Sequence, residues 1–325
     1  MRSVAQRRWR GIVVAVVLIG VSVDALEKQP IGRWRFKHSD KRVKVVTIAG
    51  SIGAWPAGSF SQFLGHVCKN AEIVNRSKTG FGARALKHRF RQQVVRNRRV
   101  NLSDTRFEYW LLYAGGLNSI GTPDTTIKYQ METFLLAKRH GVRVVGLSLG
   151  PWGDERDRRW RGFAGLKYAA HTRKVVDYIL GRLERNEALG GYVSKVDRDV
   201  VEWKPGELPE LAVDIYDSPL RDKHAALRPI AALTRRYRRS WKLKRRFPDE
   251  AATVQRAAEI PRWYLKKAYR SFDHIHPNSE GHRQIAKRAC AVVPSNWRCN
   301  CESLDRLRWV RGKGIVPLDS ATGSP

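Results

Sequence analysis

Short β-branched or aromatic runs alternate with helix-like segments through most of the chain, and this alternation is the strongest constraint on its fold. Strand candidates cover Val43 to Ser51, Ala71 to Val74, Phe107 to Ala114, Val142 to Leu149 and Glu210 to Tyr216. Helix candidates cover Phe60 to Cys68 (with Gly58-Ser59 as its cap), Ala83 to Val95, Thr122 to Arg139, His171 to Arg185 and about 280–292. Strands that alternate with helices predict an α/β fold: a parallel sheet with helices on both faces. Several strand candidates break into glycine and a small polar residue, as in Ala49-Gly50-Ser51 and Gly115-Gly116-Leu117-Asn118. In open α/β sheets the carboxyl ends of the strands are where ligands bind.

A chain of 325 residues can hold one large domain or two small ones. Charge narrows its partners. Lys and Arg number 62 against 30 Asp and Glu, a formal +32, with a pI near 10.7. Such a field concentrates anions, whether nucleic acid, acidic glycan or phosphate-bearing lipid. Residues 1–25 read as a signal peptide or an amino-terminal anchor. Arg2, Arg7, Arg8 and Arg10 precede an apolar run from Gly11 to Val23, shorter than the ~20 residues of a membrane span. Export to the periplasm or the outside argues against nucleic acid. Residues 26–42 form a basic lead-in.

The cysteines are Cys68, Cys290, Cys299 and Cys301. They suit disulfides in an oxidising compartment, among the late three or from one of them to Cys68, with the pairing open. Cys299-Asn300-Cys301 has no second close Cys or His pair beside it, so no metal site is expected. Arg235 to Arg246 is a strongly basic helical stretch within an insertion at about 218–268, suited to an anionic membrane surface or polysaccharide. Residues 294–325 read as an irregular, Cys-containing tail.

The chemistry concentrates in Ser271-Phe272-Asp273-His274-Ile275-His276-Pro277-Asn278. A carboxylate three residues from a histidine can fix the imidazole tautomer and stabilise the imidazolium. Brought beside Ser51, the pair supplies the general base that an unactivated hydroxyl lacks. His274 and His282 are the alternative imidazoles.

Four blocks in order resemble the SGNH (GDSL-type) esterases and lipases: Ala49-Gly50-Ser51-Ile52, Val74 to Gly80, Gly116-Leu117-Asn118-Ser119, and Asp273 to Asn278. The resemblance spans Val43 to about Val293, and 43–293 is read as one hydrolase-like domain. It implies a three-layer α/β/α sandwich with a mostly parallel, flavodoxin-like sheet. It also implies a cofactor-free serine esterase working through an acyl-enzyme. On that reading Ser51 is the nucleophile, His276 the base and Asp273 its orienting carboxylate. The Ser51 and Gly80 N–H groups and the Asn118 amide form the oxyanion hole, with Gly82 competing for the place of Gly80. Two positions depart from the family pattern: Ala49-Gly50 stands where Gly-Asp is usual, and Ser119 where Asp is usual.

Trp55, Phe81 and Trp152 are the substrate-binding candidates, with Trp160 and Arg84, Arg156, Arg158, Arg159 and Arg161 nearby. Aromatic faces cover acyl chains or sugars, and guanidinium groups hold carboxylates or phosphates. The expected substrate is an O-acyl or O-acetyl ester on an anionic glycan or lipid. The alternative is a catalytically inactive, basic binding module for anionic envelope polymers.

Overall fold

The computed structural model describes residues 40–193, 197 and 199–321. The signal or anchor segment, lead-in residues 26–39 and the last four residues lie outside these. Among the described residues no helix is long and apolar enough to cross a membrane.

The elements run in order β1 (Arg42–Ala49), α1 (Phe60–Val67), β2 (Ala71–Asn75), α2 (Ala83–Phe90), β3 (Phe107–Ala114), α3 (Pro123–Arg139), β4 (Val142–Leu147), α4 (Ala164–Ile179), α5 (Arg185–Leu189) and β5 (Leu211–Val213). After these come α6 (Ile230–Arg238), α7 (Trp241–Arg246), α8 (Glu250–Ala258), α9 (Ser279–Cys290), β6 (Leu307–Val310) and β7 (Gly314–Pro317). The main sheet has the order β2-β1-β3-β4-β5, with every pair parallel. This is the flavodoxin-like order, whose switch point lies between β1 and β3. Ser51 follows β1 and Asn118 follows β3, so topology alone puts both at that crevice.

The strands are apolar throughout because both faces are covered. Alternate residues of β1 and β3 face opposite ways. Val45, Trp110 and Leu112 join Phe60, Phe63, Ile285 and Ala289 beneath α1 and α9. Val46, Ile48, Leu111 and Tyr113 join Leu86, Phe134 and Val176 beneath α2, α3 and α4. The result is the three-layer sandwich expected from the sequence. Helix α1 starts where expected: the Ser59 N–H donates to Gln62 Oε1 at 2.8 Å, one half of a capping box.

Several boundaries differ. Helix α4 begins at Ala164 and ends at Ile179, where His171 to Arg185 was expected. Gly181, at φ +65°, closes it in the left-handed conformation. The chain restarts as α5 at Arg185, whose guanidinium makes a buried pair with Glu207. The fifth strand is only Leu211–Val213, because side chains take over the pairing at its ends. Glu210 Oε2 accepts from the Val144 N–H at 2.6 Å, and Ser148 Oγ accepts from the Ile215 N–H at 2.8 Å. The basic stretch folds as two helices, α6 and α7, which break at Arg239-Ser240; the Ser240 hydroxyl caps α7. With α8 they enclose a small core of Leu233, Tyr237, Val254 and Ala257 against Phe163.

The segment after Pro294 is not an irregular tail. Its two strands, β6 and β7, pair antiparallel, and Trp297 and Leu304 are fully buried beneath it. Disulfides Cys68–Cys299 and Cys290–Cys301 tie it to α1 and α9. Each strand is only four residues long and β6 carries Arg308, so their period is not visible in the sequence.

Candidate active site

The turn carrying Ser51 is held from three sides. The Gly50 N–H donates to the Ala114 carbonyl of β3 at 3.3 Å, and the Gly53 N–H closes the turn onto Gly50 at 3.1 Å. Asn75 at the end of β2 donates to the Gly53 carbonyl at 2.7 Å. Gly53 is required there, since a Cβ would stand 2.4 Å from the Ala49 methyl. At Gly50 a Cβ would meet only ordinary contacts, 3.4 Å from the Asn118 amide nitrogen. A side chain would therefore fit at this position.

The opposite wall is the loop before α9. Arg270 and Pro277 bridge its base, and the Ser271 N–H donates to the His276 carbonyl at 3.0 Å. Asn278 Oδ1 caps α9 by accepting from the Gly281 N–H at 2.9 Å. Inside the loop, Asp273 Oδ1 accepts from the Ile275 and His276 N–H groups at 2.9 and 2.8 Å. Its Oδ2 lies 2.7 Å from His276 Nδ1, and His276 Nε2 lies 2.7 Å from Ser51 Oγ. A carboxylate can only accept, so Nδ1 carries a hydrogen; in the neutral ring Nε2 is then the nitrogen that accepts from the Ser51 hydroxyl. Burial pushes the Asp273 carboxyl up, but the His276 and Ile275 donors outweigh it and hold it below the usual carboxylate range.

His274 points elsewhere: its Nε2 is 3.3 Å from Asp157, and its carbonyl accepts from the Gly153 N–H at 2.8 Å. The buried pair Asp154 and Asp157 thus anchors the histidine loop to the turn after β4. Arg159 holds Asp157 down to about 2 against the upward push of burial. Sequence reading did not find this anchor, although Asp154-Glu155-Arg156-Asp157 follows a strand end. His282 is fully buried in α9 beneath Trp55 and Phe60.

Asn118 lies in a helical turn after Gly116, whose φ is +115°. Its Nδ2 donates weakly to the Phe81 carbonyl at 3.3 Å. Ser119, where the family has Asp, accepts from the Ala83 N–H at 3.1 Å and so binds the start of α2 to this turn. Gly80 sits in an exposed turn with φ +81°, two residues before the start of that cap. Among the described residues nothing accepts from the Ser51 or Gly80 N–H groups. Gly82 is more confined, since a Cβ there would stand 3.0 Å from that of Ser119.

A cavity of about 40 Å³ opens between these loops, lined by Ser51, Phe81, Asn118, Ser148, Trp152 and Ile275 among others. The aromatic candidates divide. Phe81 and Trp152 line the cavity, whereas Trp55 stacks on the His276 ring. Trp152 is buried, and its indole N–H donates to Thr172 Oγ1 at 3.1 Å, so it is a fixed wall. Trp160 is core. Arg156 and Arg159 are paired with Asp154 and Asp157. Among the described residues, the close cluster of metal-ligating types is Cys68, Cys290 and Cys299, whose sulfurs are in disulfides.

No protein-family model matches the chain, and neither does any curated protein. Among solved structures it is similar to a GDSL-like lipase from Bacteroides thetaiotaomicron, at 15% identity and TM-score 0.44, covering 78% of this chain and 89% of that one. A lipolytic protein of the G-D-S-L family from Veillonella parvula is matched at 15% identity and TM-score 0.42, over 77% of this chain and 97% of the other. An acetyl xylan esterase from Geobacillus stearothermophilus is matched at 14% identity and TM-score 0.40, over 77% and 94%.

Proposed function

We propose that this chain is an exported serine esterase of the SGNH type, acting on short O-acyl esters. The observation that carries the proposal is the unbroken line from Asp273 through His276 to Ser51, with both contacts at 2.7 Å. A serine hydroxyl with nothing to take its proton is a poor nucleophile; this one faces an imidazole nitrogen of a ring held from behind by Asp273.

Ser51 Oγ attacks the ester carbonyl as its proton passes to His276 Nε2, and Asp273 stabilises the resulting imidazolium. The carbonyl oxygen becomes an oxyanion held by the Ser51 and Gly80 N–H groups and the Asn118 amide. His276 then protonates the departing alcohol, leaving Ser51 acylated. Water, deprotonated by His276, attacks the acyl-enzyme, and the acid leaves as Ser51 recovers its proton. No cofactor enters these steps.

The cavity of about 40 Å³ admits a few heavy atoms and falls well below the roughly 300 Å³ of the smallest drug-sized pockets. A short acyl group such as acetyl suits it.

The test is hydrolysis of a short-chain aryl ester by the purified chain and by Ser51→Ala, with fluorophosphonate labelling and mass-spectrometric mapping of the labelled residue. The expected outcome is turnover and labelling at Ser51, both lost in Ser51→Ala. Turnover that survives the substitution, or no labelling across acyl lengths, refutes the proposal and leaves the inactive binding module. Export is tested separately: a carboxyl-terminal reporter fusion active outside the cytoplasmic membrane supports it, and one active only in the cytoplasm removes it.

A further inference from the structure

The excess of positive charge is not spread evenly, and one part of it lines a concavity. A groove of about 750 Å³ runs between α4, with the turn before it, and the helices of the basic insertion. Arg158, Arg161 and Lys167 stand on one wall and Arg236, Lys242, Arg246 and Arg256 on the other. No carboxylate lies in the lining, and none of these side chains has an acidic partner within 4.0 Å among the described residues. Their neighbours Arg156, Arg159, Arg238 and Arg262, by contrast, are all paired. Like charges gathered across a cleft repel one another and cost stability unless an anion lies between them. The floor is aromatic and apolar, from Phe163, Leu166, Tyr168 and Phe247. Tyr168 meets Trp152 edge-on at 6.3 Å, and Trp152 lines the Ser51 cavity. Groove and cavity are therefore linked by one aromatic contact, Tyr168 of the groove against Trp152 of the cavity.

We propose that this groove binds an acidic polysaccharide, the carrier of the ester that Ser51 attacks. Two walls of guanidinium and ammonium groups fit a chain with anions along both edges, and ring faces on the floor fit sugar faces. The cations lie inside a cleft, a shape that accepts a chain and not the flat face of a bilayer. The choice of glycan over nucleic acid rests on the esterase reading, since esters of the expected kind are carried by sugar hydroxyls.

The experiment measures binding of a carboxylate-bearing glycan (an oligogalacturonate) and a sulfated glycan to the Ser51→Ala chain, in which no turnover intervenes. Anionic vesicles and single-stranded DNA serve as competitors. The groove variant R161A/R236A/K242A/R246A is compared with R98A/R99A/R311A/K313A, which removes equal charge from exposed positions elsewhere. At roughly 0.15 M salt the groove variant is expected to lose about tenfold or more in glycan affinity and the control less than about threefold. If the quadruple variant does not fold, the milder K242Q/R246Q on exposed α7, expected to lose about threefold, is compared with R311Q/K313Q, expected to be nearly unchanged. The two glycans tell carboxylate from sulfate as the anion recognised. Equal losses in both variants would mean that net charge alone binds polyanions, which overturns the site. Groove-dependent binding of vesicles or DNA in preference to either glycan overturns the occupant. Ser51 labelling of the wild-type chain is read independently, so a silent serine and an empty groove are separate results.

Discussion

The Trp55 indole lies stacked on the His276 imidazole, with ring centroids 5.5 Å apart and 23° between their planes. Trp55 is in the loop just after Ser51, so one short segment supplies both the hydroxyl facing His276 Nε2 and the surface against which that ring rests. The stack removes rotational freedom about the His276 ring and, on the proposed mechanism, places an aromatic face beside the group that would carry positive charge during acylation. Trp55→Leu is expected to lower kcat/KM for a short aryl ester by about tenfold, the size of a cation–π contact of roughly 1 kcal/mol plus lost orientation. Trp55→Phe is expected to recover most of the loss. If Trp55→Leu instead raises KM alone, the indole is a substrate-binding surface.

Asn118, the proposed side-chain donor to the oxyanion, is exposed and makes a single weak contact to the Phe81 carbonyl. A donor that loose in the free protein can turn to an oxyanion at little cost. Asn118→Ala is expected to lower kcat by roughly 10²–10³-fold with little change in KM or thermal stability, as for the loss of one oxyanion donor elsewhere. Steady-state kinetics beside a melting curve decides it. A melting point that falls with the activity would point to a structural role.

Asp273 is bound to three donors at once, two backbone N–H groups and His276 Nδ1. Asp273→Asn keeps the size but presents an amide that can donate to the imidazole, favouring the tautomer that faces Ser51 with a hydrogen. A loss of roughly 10³–10⁴-fold in kcat is expected, by analogy with the same change in a Ser-His-Asp protease. The rate of fluorophosphonate labelling should fall in parallel. A loss under about tenfold would mean that Asp273 shapes the loop without governing the imidazole, since Asp loss elsewhere costs far more.

What was legible in the sequence follows the range of each interaction. Asp273 and His276 are three residues apart, so their pairing is local and visible as spacing. Ser51 and His276 are 225 positions apart, and only a shared order of motifs links them before the fold is known. The sheet was legible because its strands, buried on both faces, stand out as apolar runs. The short edge strand β5 was overdrawn because Glu210 and Ser148 replace ladder bonds with side-chain bonds, which leave no pattern. Aromatic residues near strand ends were read alike as substrate surfaces, yet sequence cannot tell the stacked Trp55 from the wall residue Trp152. The cationic groove has no signature in the sequence because its two walls come from segments more than 60 positions apart, Arg158 to Lys167 and Arg236 to Arg256.

The two disulfides divide the work of holding the carboxyl-terminal segment. Cys290–Cys301 closes 11 residues at the end of α9, and Cys68–Cys299 joins positions 231 apart, from the end of α1 to the segment beyond α9. Chain-entropy arguments give the longer closure the greater effect on the unfolded state. The pair Cys68→Ala/Cys299→Ala is expected to lose roughly 2–5 kcal/mol, read as a lower denaturation midpoint, while Cys290→Ala/Cys301→Ala loses less. The reverse ranking would show that native-state packing at the shorter loop outweighs chain entropy.

His282 is expected to make the fold sensitive to acid. It is fully buried, stacked beneath Trp55 at 5.9 Å and Phe60 at 6.2 Å, and neither ring nitrogen has a partner among the described residues. Burial, and after it repulsion from His276, hold its imidazole down to about 3. An unfolded histidine titrates near 6.5, so between about 6.5 and 3 the unfolded chain takes up a proton that the folded chain refuses. Stability present above that range is lost as pH falls through it, with a slope of at most about 1.4 kcal/mol per pH unit. His171, also lowered by burial, adds in the same direction. Asp273 and Asp157 are depressed carboxylates, so their share is lost only below the ordinary carboxylate range. Glu210 and Asp177, raised by burial, gain protons earlier in the folded chain and oppose the loss as pH falls toward that range. Denaturant midpoints measured from pH 7 to about 4.5 should therefore fall steadily for the wild-type chain and more shallowly for His282→Phe, which keeps the ring stack without the titrating nitrogens. Parallel slopes for the two proteins would mean that His282 is protonated in the folded state and is not the source of acid sensitivity.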